Sequence, residues 1–137
     1  MRKKSCLTSD DAGTMMAACL KTAKENQWNV SIAIVDEHGV LLRFERMDGA
    51  ALSSAEVCVA KARTAAIWRR PTKFWEDRVT ERPPLLKMPN NLPVQGGVPG
   101  VHDGDVVGAI GVSGVRSEQD EQVALAGLAA VGLTPVI

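Results

Sequence analysis

With 137 residues, 45% of them hydrophobic and 23% charged, the chain has the size of one domain and the composition of a globular protein, which excludes a disordered tail and a fibrous repeat. Lys plus Arg and Asp plus Glu stand at 16 each, so no net field draws it toward nucleic acid or an anionic membrane. Cys6, Cys19 and Cys58 form an odd set without CxxC spacing, which excludes a disulfide framework and a zinc ribbon and points to a reducing, cytoplasmic setting.

The start Met1-Arg2-Lys3-Lys4 runs into Thr8, Ser9, Asp10 and Asp11 where a signal peptide needs an apolar core, and no apolar run reaches the roughly 18 residues of a membrane span. From Thr8 to Trp28, Ala12, Met15, Met16, Cys19, Leu20 and Ala23 recur at the spacing of one helical face, with Thr8 and Asp11 as a capping pair. The β-branched run Val30 to Val35 and the run Val40 to Arg46, joined by Asp36-Glu37-His38-Gly39, predict a β-hairpin. Val30, Ile32 and Ile34 share one face of its first strand, and small Ser31 and Ala33 leave the other open to a close helix. Ser53-Ser54-Ala55-Glu56 reads as a capping box opening a second helix to about Arg70, with Pro71 ending it or starting a new turn.

Residues 61–87 hold eight basic side chains against three acidic ones, interleaved with Trp68, Phe74 and Trp75; with a neutral total this reads as a solvated helical face over an aromatic edge. Five of the seven prolines lie between Pro83 and Pro99, where regular structure is not expected and a rigid loop at the rim of a site is. Val98 to Val101 and Val106 to Ser113 predict a second hairpin about His102-Asp103-Gly104-Asp105, and Ser117-Glu118-Gln119-Asp120 the cap of a final helix ending near Gly132. Two hairpins among separate helices make the class α+β, an antiparallel sheet covered by helices.

Four ordered motifs carry a resemblance: Arg46-Met47-Asp48-Gly49-Ala50, Lys61-Ala62-Arg63-Thr64-Ala65, Gly96-Gly97-Val98-Pro99, and Gly108 to Gly114 with Gln119-Asp120-Glu121. From about residue 8 to residue 132 the chain resembles the GlcG/HbpS (DUF336) family, whose relatives include the C-terminal domain of PduO corrinoid adenosyltransferases. The resemblance implies a profilin-like fold, an antiparallel five-stranded sheet with helices around it, often in homo-oligomers, and haem binding in several members, many of them accessory to catabolism. Haem iron takes His, Met, Cys or Tyr. One branch of the family uses a histidine on the first helix, where this chain has Met15, Met16 and Cys19; His38 and His102 lie in hairpin turns and tyrosine is absent, so the axial ligand stays open.

The residues themselves suggest an anion site. Ser113-Gly114-Val115-Arg116-Ser117 runs into a helix N-terminus, whose free N–H groups attract a carboxylate. Arg46 and Lys61 are candidates to grip a small organic acid or a haem propionate, against an Arg46–Asp48 ion pair and an exposed Lys61; for Arg63 an ion pair is the favoured reading. Gly96 and Gly97 complete a pocket expected between the first helix, the loop at residues 96–100 and the turn at residues 113–117. Asp120 and Glu121 fit acid–base roles but read as helix caps. His102 beside Asp103 is the general acid–base candidate for the alternative function, a cofactor-independent enzyme acting on a small unsaturated or amino-substituted organic acid. Surplus alanine on the second and last helices and glycine on the last strand point to a homo-oligomer.

Overall fold

The computed structural model describes residues 1–137. In chain order the elements are α1 (Ser9–Glu25), β1 (Ser31–Asp36), β2 (Leu41–Arg46), α2 (Ser54–Trp68), α3 (Thr72–Glu81), a 3-10 turn (Pro83–Lys87), β3 (Gly97–His102), β4 (Asp105–Ser113), α4 (Ser117–Ala130) and β5 (Thr134–Pro135). The strands form one five-stranded antiparallel sheet in the order β2-β1-β4-β3-β5. The class is α+β, as the two hairpins required.

The alternation along β1 explains the layering. Ile32 and Ile34 point to one face, where they join Ile110 and Val112 of β4 under Met15 and Cys19 of α1 and Val123 and Leu128 of α4. Ala33 and Val35 point to the other, where with Ala109 they meet Cys58, Ala62, Ala65 and Ala66 of α2. On this second face the contacts are made mostly by small groups, so α2 lies close to the sheet. Gly111 sets the limit: a Cβ there would run into the Cys58 carbonyl and the Ala62 amide. Burying a side chain such as Ile110 or Leu128, both fully covered, stabilises the domain by about 1.5–3 kcal/mol.

Three local expectations are corrected. Ser53 has helical backbone angles and caps nothing with its side chain, while Ser54 turns inward to the Ser31 hydroxyl at 2.8 Å. The proline-rich stretch is not wholly irregular: Pro83 and Pro84 open a 3-10 turn, where their missing N–H groups cost no helical bond. Finally, α4 is capped by residue 116, whose N–H donates to Gln119 Oε1 at 3.2 Å, rather than by Ser117. No helix is long and apolar enough to cross a membrane.

Candidate functional site

Several sequence candidates meet at one end of the sheet, and there they build a buried ion pair. Lys61 of α2 and Asp120 of α4 come from opposite faces, and each side chain is only 2% exposed. Lys61 Nζ donates to Asp120 Oδ2 at 3.0 Å and to the Val112 carbonyl at 2.9 Å, while Asp120 Oδ1 accepts the Val115 N–H at 3.2 Å. Burial pushes the Asp120 carboxyl up, and the Lys61 ammonium and the Val115 N–H pull it back.

Lys61 is therefore not exposed on its helix, and Asp120 is not a simple cap. Gly96 and Gly97 are shaped by the same pair. At Gly96, φ is +132°, and a Cβ would lie 2.7 Å from Lys61 Nζ; at Gly97 it would strike the Lys61 carbonyl. The Gly97 N–H is held by Thr72 Oγ1 at 2.8 Å. The space expected to be a pocket is filled by these groups.

The turn at residues 113–117 is likewise engaged from within. Asp120 holds the Val115 N–H and Gln119 the N–H of Arg116, whose guanidinium lies 3.0 Å from Glu118. The carboxylate at this helix start belongs to the chain itself. Ser113 ends β4 beside β1, and a Cβ at the next residue, Gly114, would sit 2.7 Å from the Asn29 carbonyl, so this glycine answers a close backbone approach.

His102 and Asp103 stand elsewhere. His102 lies five positions along β3 from Gly97, about 16 Å along a strand. His102 Nε2 lies 3.3 Å from Asp103 Oδ2, with the two side chains 50% and 87% exposed. Water screens such a pair strongly. His102 also lines a recess of about 160 Å³ with Cys6, Leu7 and Asp11.

A wide opening lies on the α2 face, where the sequence alone does not point to one. Leu41 and Phe44 of β2, with Ala55, Val59 and Ala60 of α2, floor an open groove of about 450 Å³, rimmed by Glu56 and Arg63. Its shape follows from the hairpin. Gly39, at φ +79°, lets the β1–β2 turn lie on Ile67 and the Arg63 backbone, which brings β2 alongside α2. Beyond β2 there is no further strand, so Leu41 and Phe44 stay 47% and 41% exposed.

Arg63 also borders a polar recess of about 200 Å³ with Thr64, Asn90 and Asn91. Its guanidinium has no carboxylate partner within 4.0 Å, which corrects the expected ion pair. The recess is held in place by the Leu92 N–H on Thr64 Oγ1 at 2.8 Å and by Trp68 Nε1 on the Pro89 carbonyl at 3.2 Å. Arg46 stands opposite Ser31, whose hydroxyl meets Ser54 of α2, so it shares this face with Phe44. It makes no ion pair with Asp48. An apolar trough with a free guanidinium at one end suits a flat, amphipathic ligand bearing a carboxylate.

Fold and groove together define a small α+β protein whose open sheet edge and covering helix form a shallow apolar groove. Comparison with known proteins narrows the class. The chain matches the family described as haem degrading protein HbpS-like over residues 7–129, and it belongs to that family. It is 42% identical to protein GlcG of Escherichia coli strain K12 over 114 residues, covering 82% of this chain and 85% of that one. The crystal structure of a Streptomyces reticuli HbpS double mutant superposes with a TM-score of 0.90 at 34% identity, covering 96% of this chain and 91% of that one. The haem complex of PduOC does so with a TM-score of 0.89 at 28% identity, covering 97% and 100%.

Proposed function

We propose that the protein is a small ligand-binding protein of the haem-binding GlcG/HbpS type, an accessory to a catabolic pathway, and that it takes a flat porphyrin carboxylate in the groove between β2 and α2. The observation that carries this reading is the apolar floor of Leu41, Phe44, Ala55 and Val59 ending on the unpaired Arg63. Its volume of about 450 Å³ falls in the roughly 300–1,000 Å³ range of ligand sites, and the recess beside His102 falls below it. Phe44 and the aliphatic groups suit one face of a macrocycle, and Arg63 suits a propionate. A small organic acid would meet Arg63 but leave the floor bare, so the flat ligand is favoured. Three free thiols support a reducing, cytoplasmic setting.

The residues present fit the macrocycle and not the iron. No His, Met, Cys or Tyr lines the groove. Met15, Met16 and Cys19 are packed in the core between α1, α4 and the sheet, with the Cys19 thiol donating to the Val123 carbonyl at 3.4 Å. Cys58 faces the sheet, and burial pushes its thiol up to about 12. Binding in this groove is therefore assigned to the ring and its carboxylates.

Titration with haem and with iron-free protoporphyrin, followed by tryptophan quenching, tests the assignment. Both should bind with affinities within about tenfold of one another, and Arg63→Glu should weaken both by roughly ten- to a hundredfold, the value of a charged hydrogen bond. Binding of haem alone, or indifference to Arg63→Glu, would overturn it.

A further inference from the structure

We infer that β2 is a self-complementary edge whose partner is the β2 strand of a second copy of this chain. The sheet has two edges of different kinds. At one, β5 is two residues long and contains Pro135, which cannot donate to a further strand. At the other, β2 offers six residues, all exposed, with Leu41, Leu42 and Phe44 among them. Most of the alanines and glycines that suggested oligomers are used inside the chain: Ala62, Ala65 and Ala66 of α2 pack on the sheet, Ala124 of α4 sits in the core, and Gly108 and Gly111 of β4 admit neighbouring elements, while Ala129 and Ala130 stay exposed at the end of α4. The long unpartnered edge is β2.

Its backbone direction follows from one bond. The Met47 N–H donates to the Val30 carbonyl at 3.0 Å. In an antiparallel pair the hydrogen-bonded positions alternate, so Glu45 and Arg43 direct their backbone groups at β1, while Phe44 and Arg46 direct theirs outward. A second copy can pair with those outward groups about a twofold axis.

Charge then selects the register. With Phe44 opposite the partner's Phe44, Arg43 of each copy faces Glu45 of the other at a non-hydrogen-bonded position, where side chains approach most closely. Shifting the axis to Arg43 sets two arginines face to face, and shifting it to Glu45 sets two glutamates face to face. Neither Arg43 nor Glu45 has an opposite charge within 4.0 Å in its own chain. Arg43 lies along Gly13 of α1, on the face away from the groove. Pairing this way joins two five-stranded sheets into one and sets the two apolar grooves side by side at the twofold axis, with both left open.

The test is the solution mass of the full chain and of charge variants, by multi-angle light scattering. The wild type should give a dimer, or a larger assembly built of dimers. Arg43→Glu, which sets two carboxylates face to face across the interface, should halve that mass or raise the dimer dissociation constant at least tenfold. Arg43→Glu with Glu45→Arg should restore it. In a Cys6→Ser background, Phe44→Cys should be joined to its partner by a short bis-thiol crosslinker. A monomeric wild type, a mass unchanged by Arg43→Glu, or failure of the double exchange with no Phe44→Cys crosslink overturns the inference. Porphyrin affinity of the monomeric variant tests the groove separately, because Arg43 does not line it.

Discussion

Replacing Lys61 by methionine removes a charge while keeping most of the side chain's volume. In the native protein Nζ is shared between Asp120 Oδ2 at 3.0 Å and the Val112 carbonyl at 2.9 Å, and both charged side chains are 2% exposed. The variant leaves a buried carboxylate with one remaining donor, the Val115 N–H. Breaking a buried pair in this way costs about 3–5 kcal/mol. For a domain of this size that is a fall in Tm of roughly 10–20 °C.

The pH dependence has a definite sign. Burial already raises the Asp120 carboxyl, and Lys61 is the chief group opposing it. Without Lys61 the folded-state value rises further above the unfolded one, so the variant's deficit is full above that value and shrinks as acid protonates Asp120. Lys61→Met with Asp120→Leu, an apolar pair of similar bulk, should recover more than half of the loss at neutral pH. Thermal melts followed by circular dichroism from about pH 8 down to about pH 4 supply every quantity. A single-variant cost below about 1 kcal/mol, or a deficit that grows in acid, would refute the reasoning.

Two further outcomes follow from groups at the chain's beginning and in its core. Of the three thiols only Cys6 is exposed, while burial pushes Cys19 and Cys58 up to about 12; a disulfide reagent near pH 8 should titrate one thiol in the native protein and three after unfolding. Thr8 Oγ1 accepts the Asp11 N–H at 3.1 Å, and Asp11 Oδ2 accepts the Thr8 N–H at 2.9 Å, so Thr8→Ala should destabilise α1 by about 1 kcal/mol. The Thr8 backbone and hydroxyl hydrogen bonds hold the Asp11 carboxyl below its ordinary value, so its contribution is present above the ordinary carboxylate range and lost as pH falls through the lowered one. The gap between Thr8→Ala and wild type should therefore narrow in strong acid.

The elements were legible where one residue pattern had one physical solution. Val30 to Val35 alternates by face, and the structure puts Val30, Ile32 and Ile34 under α1 and α4 and Ser31, Ala33 and Val35 under α2. Thr8 with Asp11 is a cap that forms from local bonds alone. Ser53 looked equally good, but Ser54 found the Ser31 hydroxyl across the fold, and that tertiary bond set the start of α2. The Lys61–Asp120 pair was hidden for the same reason. Each residue sits on a helix where a charge is ordinarily solvated, and only the joining of two helices around the end of the sheet buries both.

The groove had a readable trace in Leu41, Leu42 and Phe44, which are apolar on a strand whose partner side is already supplied by β1. Its second wall comes from residues 55–63, and nothing local says that α2 stops short of covering β2. Arg46 is legible as the end of a strand, whereas its face is set by the pairing with Ser31. His102 and Asp103 are neighbours in sequence and in space, yet their distance from Gly96 and Gly97 depends on the direction of β3.

The most direct test of the ligand site is the amide spectrum of isotopically labelled protein as iron-free protoporphyrin is added. A ligand in the groove should confine the shifts to Leu41–Arg46 of β2, to the stretch of α2 from residue 55 to residue 67, and to the Asn90 and Asn91 amides beside Arg63. Shifts centred on Cys6, Leu7 and His102, with β2 and α2 unmoved, would contradict it and place the ligand in the recess at the far end of the sheet.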